Sequence, residues 1–119
     1  MNWYLTKIIY QIISDKGLHT PQFDEQLRLI YAEDELHAFN KARSIGEKEE
    51  DLFLNNNNKP VQWKFIDVPE MHKLNNLVDG VEMYSRVNEE DDAEIFIRTI
   101  KLKAKYLFEN CTVNTIKLN

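Results

Sequence analysis

Three histidines, one cysteine and two dense runs of carboxylates are the residues of this chain whose types could do chemistry. A metal centre needs ligands spaced to converge. His19, His37 and His72 share no helical turn, and none has a cysteine or another histidine at ligand spacing. They read as loop and surface residues, and no metal or cofactor is expected. Cys111 has no neighbour that would lower its pKa or act as its base, so it reads as an inert thiol. The carboxylates of "EKEED" (47–51) and "NEEDDAE" (88–94) could supply an acid/base pair only in environments that push two pKa values apart. Both runs read as solvated, and the second as the start of a helix. No G-x-S-x-G, Walker or dinucleotide fingerprint occurs, and three glycines can hardly build a phosphate cradle. The expectation is a chain without catalysis.

These residues must be positioned by elements that alternation and periodicity reveal. "WYLTKIIYQII" (3–13) reads as a strand with apolar residues on both faces. "SDKGLHTPQ" is a loop, and "FDEQLRLIYA" (23–32) alternates as a second, antiparallel strand. A helix follows, capped by Asp34, with Leu36, Phe39, Ala42 and Ile45 as its buried stripe and Gly46 as its left-handed C-cap. "LFL" (52–54) and "VQWKF" (61–65) are strands. The "NNNNKP" between them is a turn inside one domain rather than a linker, because asparagine tolerates positive φ. Pro69 is placed to start a helical turn, Asp79-Gly80 is a turn, and "VEMYSRV" (81–87) is a last strand. A final helix runs from about Glu89, capped by Asn88, to Glu109. Its apolar stripe is Ala93, Phe96, Ile97, Ile100, Ala104, Leu107 and Phe108. The predicted fold is α+β: a mostly antiparallel sheet of about five strands, order β-β-α-β-β-β-α, packed by two helices. Residues 1–119 read as one domain with a frayed tail from about 110.

A chain of 119 residues can bury roughly two-thirds of its unfolded surface without staples. One cysteine permits no internal disulfide, which suits a reducing cytoplasm. The N-terminus has neither the basic start nor the cleavage site of a signal peptide, and nothing approaches a membrane span. A net charge of −5 argues against nucleic acid, whose phosphates need basic partners.

The alternating sets assign two sides to the sheet. Trp63, Phe65, Leu27, Leu29, Val81 and Met83 are expected beneath the terminal helix, with Trp63 a core residue. Gln62, Lys64, Ile66, Arg28, Ile30, Glu82, Tyr84 and Arg86 fall on the other side, joined by Ile8 and Tyr10. That mixture of charges, isoleucines and tyrosines is more apolar than a solvated face, and tyrosine and arginine are frequent interface anchors. Lys7, Tyr10, Arg28, Lys64, Glu82, Tyr84 and Arg86 are therefore the candidate binding or interface residues. Lys7, in an apolar strand, needs a carboxylate, and Glu82 is a candidate.

Together, "WYLTK", "AEDELHAFNKARSIG", "VQWKFIDV" and "DGVEMYSRV" resemble the bacterial family catalogued as domain of unknown function 4288. Members open on a Trp-Tyr strand with a lysine. They carry an acidic-capped helix ending in glycine, a Trp-x-Phe strand and a Gly-x-Glu-x-Tyr-Ser-type strand. The resemblance covers about residues 2 to 87. Thr6 stands where a small apolar residue is commoner, and the helix after Asn88 extends beyond the shorter members. The resemblance implies no activity, but it draws attention to Lys7, Trp63, Glu82, Tyr84 and Ser85. The expected function is a small cytoplasmic binding or assembly module that self-associates or takes a protein partner through the mixed face. An acidic immunity-type inhibitor of a basic partner, steered by the charge of −5, is one alternative. A small enzyme with a pocket near Glu82, Tyr84 and Arg86 is the other.

Overall fold

The computed structural model describes residues 1–14 and 18–113. The chain divides into two compact units, Met1–Ser85 and Arg86–Asn119. The first holds strands β1 (Asn2–Ser14) and β2 (Gln22–Ala32), helix α1 (Glu35–Lys48), and strands β3 (Asp51–Leu54) and β4 (Pro60–Leu74). The second holds helix α2 (Ala93–Glu109). The four strands form one antiparallel sheet in the order β2-β1-β4-β3. The fold is α+β as expected, with four strands rather than about five and an order of β-β-α-β-β-α.

The missing strand is residues 81–87. Their alternation suits a pleat, but a strand exists only where a neighbour takes its backbone hydrogen bonds. Residues 81–87 carry no ladder. They follow a turn in which the Val81 N–H donates to the Val78 carbonyl, with Gly80 at φ 85°. Residues 69–74, expected to begin a helix, instead continue β4 through Pro69. Proline fits here because β3 pairs with β4 only from Pro60 to Trp63. The outer flank of β4 beyond that point meets no strand among the described residues, so no ladder bond is lost. The β1–β4 register also shifts between Lys7 and Tyr10, the irregularity at which a proline is tolerated.

The asparagine run is a hairpin turn. The Asn55 side-chain oxygen accepts from the N–H groups of Asn57 and Lys59 at 2.9 and 3.0 Å, and Asn58 takes φ 60°. Of the loop expected over "SDKGLHTPQ" (14–22), residues 15–17 lie outside the described residues, as do residues 114–119 of the tail expected to fray from about 110.

Helix α1 starts where Asp34 accepts a hydrogen bond from the His37 N–H at 2.8 Å. Its buried stripe is Ala38, Ala42 and Gly46, flanked by half-buried Phe39 and Ile45, while Leu36 is exposed. The small residues let the helix approach the sheet closely, so the large core side chains come from the strands: Tyr4, Ile8, Tyr10 and Ile30. Gly46 is helical rather than a left-handed cap, and the helix runs on to Lys48. Its glycine is required by packing, because a Cβ there would overlap the Phe65 ring. Tyr10 then reaches the end of the helix, its hydroxyl donating to the Gly46 carbonyl at 2.9 Å. That carbonyl is one of the last four, which have no partner within a helix.

The face covered by α1 carries Tyr4, Thr6, Ile8 and Tyr10 of β1, with Arg28 and Ile30 of β2 directly across from Thr6 and Tyr4. Trp63 and Phe65 lie on this face too, opposite Ile12 and Tyr10. The expected sides are therefore correct for Trp63, Phe65, Gln62 and Lys64. They are inverted for the β1–β2 half: Ile8, Tyr10, Arg28 and Ile30 are under the helix, while Leu27 and Leu29 are on the open side. Within Met1–Ser85 the covering helix is α1. Both alternating sets of β1 are apolar, so periodicity alone cannot choose between them.

Helix α2 begins at Ala93, four residues later than expected. Its cap is Asp92, whose carboxylate accepts from the Ile95 N–H at 3.0 Å. None of its residues is buried.

Candidate functional site

The open face of the sheet is built by the second alternating set of each strand. From β1 come Trp3, Leu5, Lys7 and Ile9; across from the first three on β2 stand Tyr31, Leu29 and Leu27, with Glu25 opposite Ile9. β4 adds Lys64 opposite Gln11, Glu70 opposite Lys7 and His72 opposite Leu5. Because β2 is an edge strand, its side chains on this face have a neighbour on one side only. Phe23 is 56% exposed, Leu27 57%, Leu29 46% and Tyr31 41%. Trp3 and Tyr31 hold each other in place, with ring centroids 4.6 Å apart.

Lys7 lies in the middle of this surface. Its ammonium is 3.7 Å from Glu25 and 3.4 Å from Glu70. Two carboxylates thus supply the partner that Lys7 needs, in place of Glu82. The face carries cations at Lys7 and Lys64 and anions at Glu25 and Glu70, so it is apolar in the main and balanced in charge.

The other candidates separate. Tyr10 is buried and bonded to α1. Burial pushes its phenol above its ordinary value, and Glu49 adds to the rise while Arg28 opposes it. Arg28 projects on the helix side and grips both carboxylate oxygens of Glu49 at 2.9 Å. Their hydrogen bond holds the Glu49 carboxyl below, and the guanidinium above, its usual range. Tyr10 and Arg28 are therefore structural. Trp63 is half-buried, stacks on Phe53 at 5.7 Å and donates its indole N–H to Asp24 at 3.1 Å. This is a core tryptophan.

Glu82 and Tyr84 do come together, with His72, Lys73, Leu74, Met83 and Ser85, around a concavity of about 220 Å³. The rings of His72 and Tyr84 are 5.3 Å apart. Arg86 belongs to the second unit. Among the described residues no group of three or more His, Cys, Asp or Glu converges as a metal site would. No helix among them is long and apolar enough to cross a membrane.

The residues that sequence reasoning missed are those of the open face: Trp3, Phe23, Leu27, Leu29 and Tyr31. Alternation in β2 marked Phe23, Leu27, Leu29 and Tyr31 as one set, and the position of α1 shows that this set lies on the face away from that helix.

A family model for a domain of unknown function (DUF4288) matches residues 3–85. That span takes in the sheet from Trp3 onward, α1 and the concavity. No curated protein and no solved structure matches the chain.

Proposed function

The chain belongs to the domain of unknown function 4288 family, and we propose that it is a small cytoplasmic assembly module, without catalysis, whose open sheet face binds a second copy of itself. The observation that carries this reading is the exposed row Phe23, Leu27, Leu29 and Tyr31, continued by Trp3 and Ile66. Monomeric proteins seldom leave a contiguous apolar patch of more than a few hundred Å² in water. The occupant follows from the charges. With Lys7 held between Glu25 and Glu70, the patch carries both signs in near balance and can meet its own image across a two-fold axis. The lone cysteine suits a reducing compartment.

Sedimentation velocity over a concentration series tests the proposal. The wild-type chain is expected above its monomer mass of 14.2 kDa. Leu29→Lys puts a charge into the contact and leaves the core intact. It removes a side chain worth about 1.5–3 kcal/mol when buried, so association weakens at least tenfold. A wild-type monomer at every concentration, or a Leu29→Lys chain of unchanged mass, overturns the reading.

Salt separates this from inhibition of a basic partner. Two chains of charge −5 repel at long range, so screening strengthens self-association. Binding to a basic protein weakens under the same change.

A further inference from the structure

Two leucines on the face away from α1 are hidden from water. Leu5 stands directly across from His72, and Leu74 across from Trp3. Both leucines are only 5% exposed. Neighbouring strands alone do not account for this, because Ile9, on the same strand and the same face as Leu5, is half-buried. Leu74 is the last residue of β4, with no further strand to shelter it. The segment beside them is residues 82–85. Met83, Tyr84 and Ser85 share one concavity with His72 and Leu74, and the Tyr84 ring stands 5.3 Å from that of His72. All of these residues belong to Met1–Ser85. We infer that residues 81–85 are a latch over the open sheet face, an inference that rests on the self-docking reading of that face. Closed, the latch withholds Leu5 and Leu74; released, it adds both to the docking row.

Three features make the latch releasable. Residues 81–85 carry no ladder, so release breaks no row of backbone hydrogen bonds. The concavity of about 220 Å³ between the latch and the end of β4 is space that close packing would fill, so the segment is lightly held. Its near end turns on Gly80 at φ 85°, where nothing lies within 4 Å of the place a Cβ would occupy. Glycine there lets the turn open without strain or collision.

Release has a use at the docking face. Leu5 lies directly across from Leu29, which is itself exposed together with Leu27. Leu5 and Leu74 thus continue the apolar row from the edge strand towards the middle of the sheet. A second copy and the latch compete for the same two leucines. The affinity of pairing is then reduced by the fraction of chains whose latch is closed.

Thiol labelling of the full chain tests this. Leu5→Cys and Leu74→Cys are prepared separately in a Cys111→Ser background. Tyr84→Ala, which removes the ring that meets His72, is expected to speed the labelling of both by roughly tenfold. Ala38 is buried under α1 on the other face. Labelling of Ala38→Cys in the same background is expected to be unchanged by Tyr84→Ala, which separates local opening from unfolding. Without the cysteine reporters, Tyr84→Ala is expected to tighten self-association roughly threefold in sedimentation velocity. Unchanged labelling at both leucine positions, or equal acceleration at Ala38→Cys, overturns the latch. Faster labelling with unchanged association overturns its link to docking. Failure of the docking reading shows separately, as a Leu29→Lys chain of unchanged mass.

Discussion

Tyr10 links the core to the end of a helix with one atom. Its ring fills the space left by the small residues of α1, and its hydroxyl takes up a helix-terminal carbonyl. Tyr10→Phe keeps the ring and leaves the Gly46 oxygen without that donor. An unsatisfied buried acceptor costs about 1–3 kcal/mol, so the urea midpoint should fall by a corresponding amount with the slope unchanged. The sequence marked Tyr10 as an interface residue because tyrosine is ambiguous: an apolar ring serves a core and a hydroxyl serves a surface. Lys7 is more legible in the sequence. That a lysine between apolar neighbours needs a carboxylate follows from desolvation. Which carboxylate it finds depends on strand register, which placed Glu70 directly across and left Glu82 outside the sheet.

At the scale of elements, α1 is fastened to the sheet on both sides. Arg28 of β2 holds Glu49 just past the end of the helix, and Arg43 of α1 holds Asp67 of β4 at 2.9 and 3.0 Å. Each arginine's hydrogen bond lowers the pKa of its carboxyl, and for Asp67 the Val68 N–H adds to the effect. Where a folded pKa lies below the unfolded one, the unfolded chain binds the extra proton. The stabilisation is therefore present above the ordinary carboxylate values of 4.5 and 3.8 and is lost as pH falls through the lowered ones. The melting temperature should drop between about pH 5 and about pH 3. The fall should be shallower in a Glu49→Gln, Asp67→Asn chain, and small in either case because these pairs are exposed to solvent and salt. Much of the element order was legible before the structure, because Asp34 has a cap's chemistry and "NNNNKP" a turn's. The fifth strand was not, since "VEMYSRV" has the alternation of a strand but meets no ladder. The choice of covered face was not legible either. It depends on Ala38, Ala42 and Gly46 offering the sheet a closer seat than Leu36 could, a comparison of volumes rather than of periodicity.

At the scale of the whole molecule, the proposed contact of the open sheet face with its own image about a two-fold axis closes on itself as a dimer. Wild-type chains are thus expected to sediment heavier than Leu29→Lys chains, whose mass should fall towards 14.2 kDa. A different feature keeps growth confined to this face. Beyond Trp63 the outer flank of β4 could have recruited a stray strand from another molecule. Instead, the Glu50 carboxylate holds the Phe65 N–H at 3.2 Å and Asp67 holds the Val68 N–H at 2.8 Å. Pro69 has no N–H to offer. A would-be fibril finds its template already occupied there, so this margin of the sheet resists amyloid-type stacking at the concentrations assembly demands.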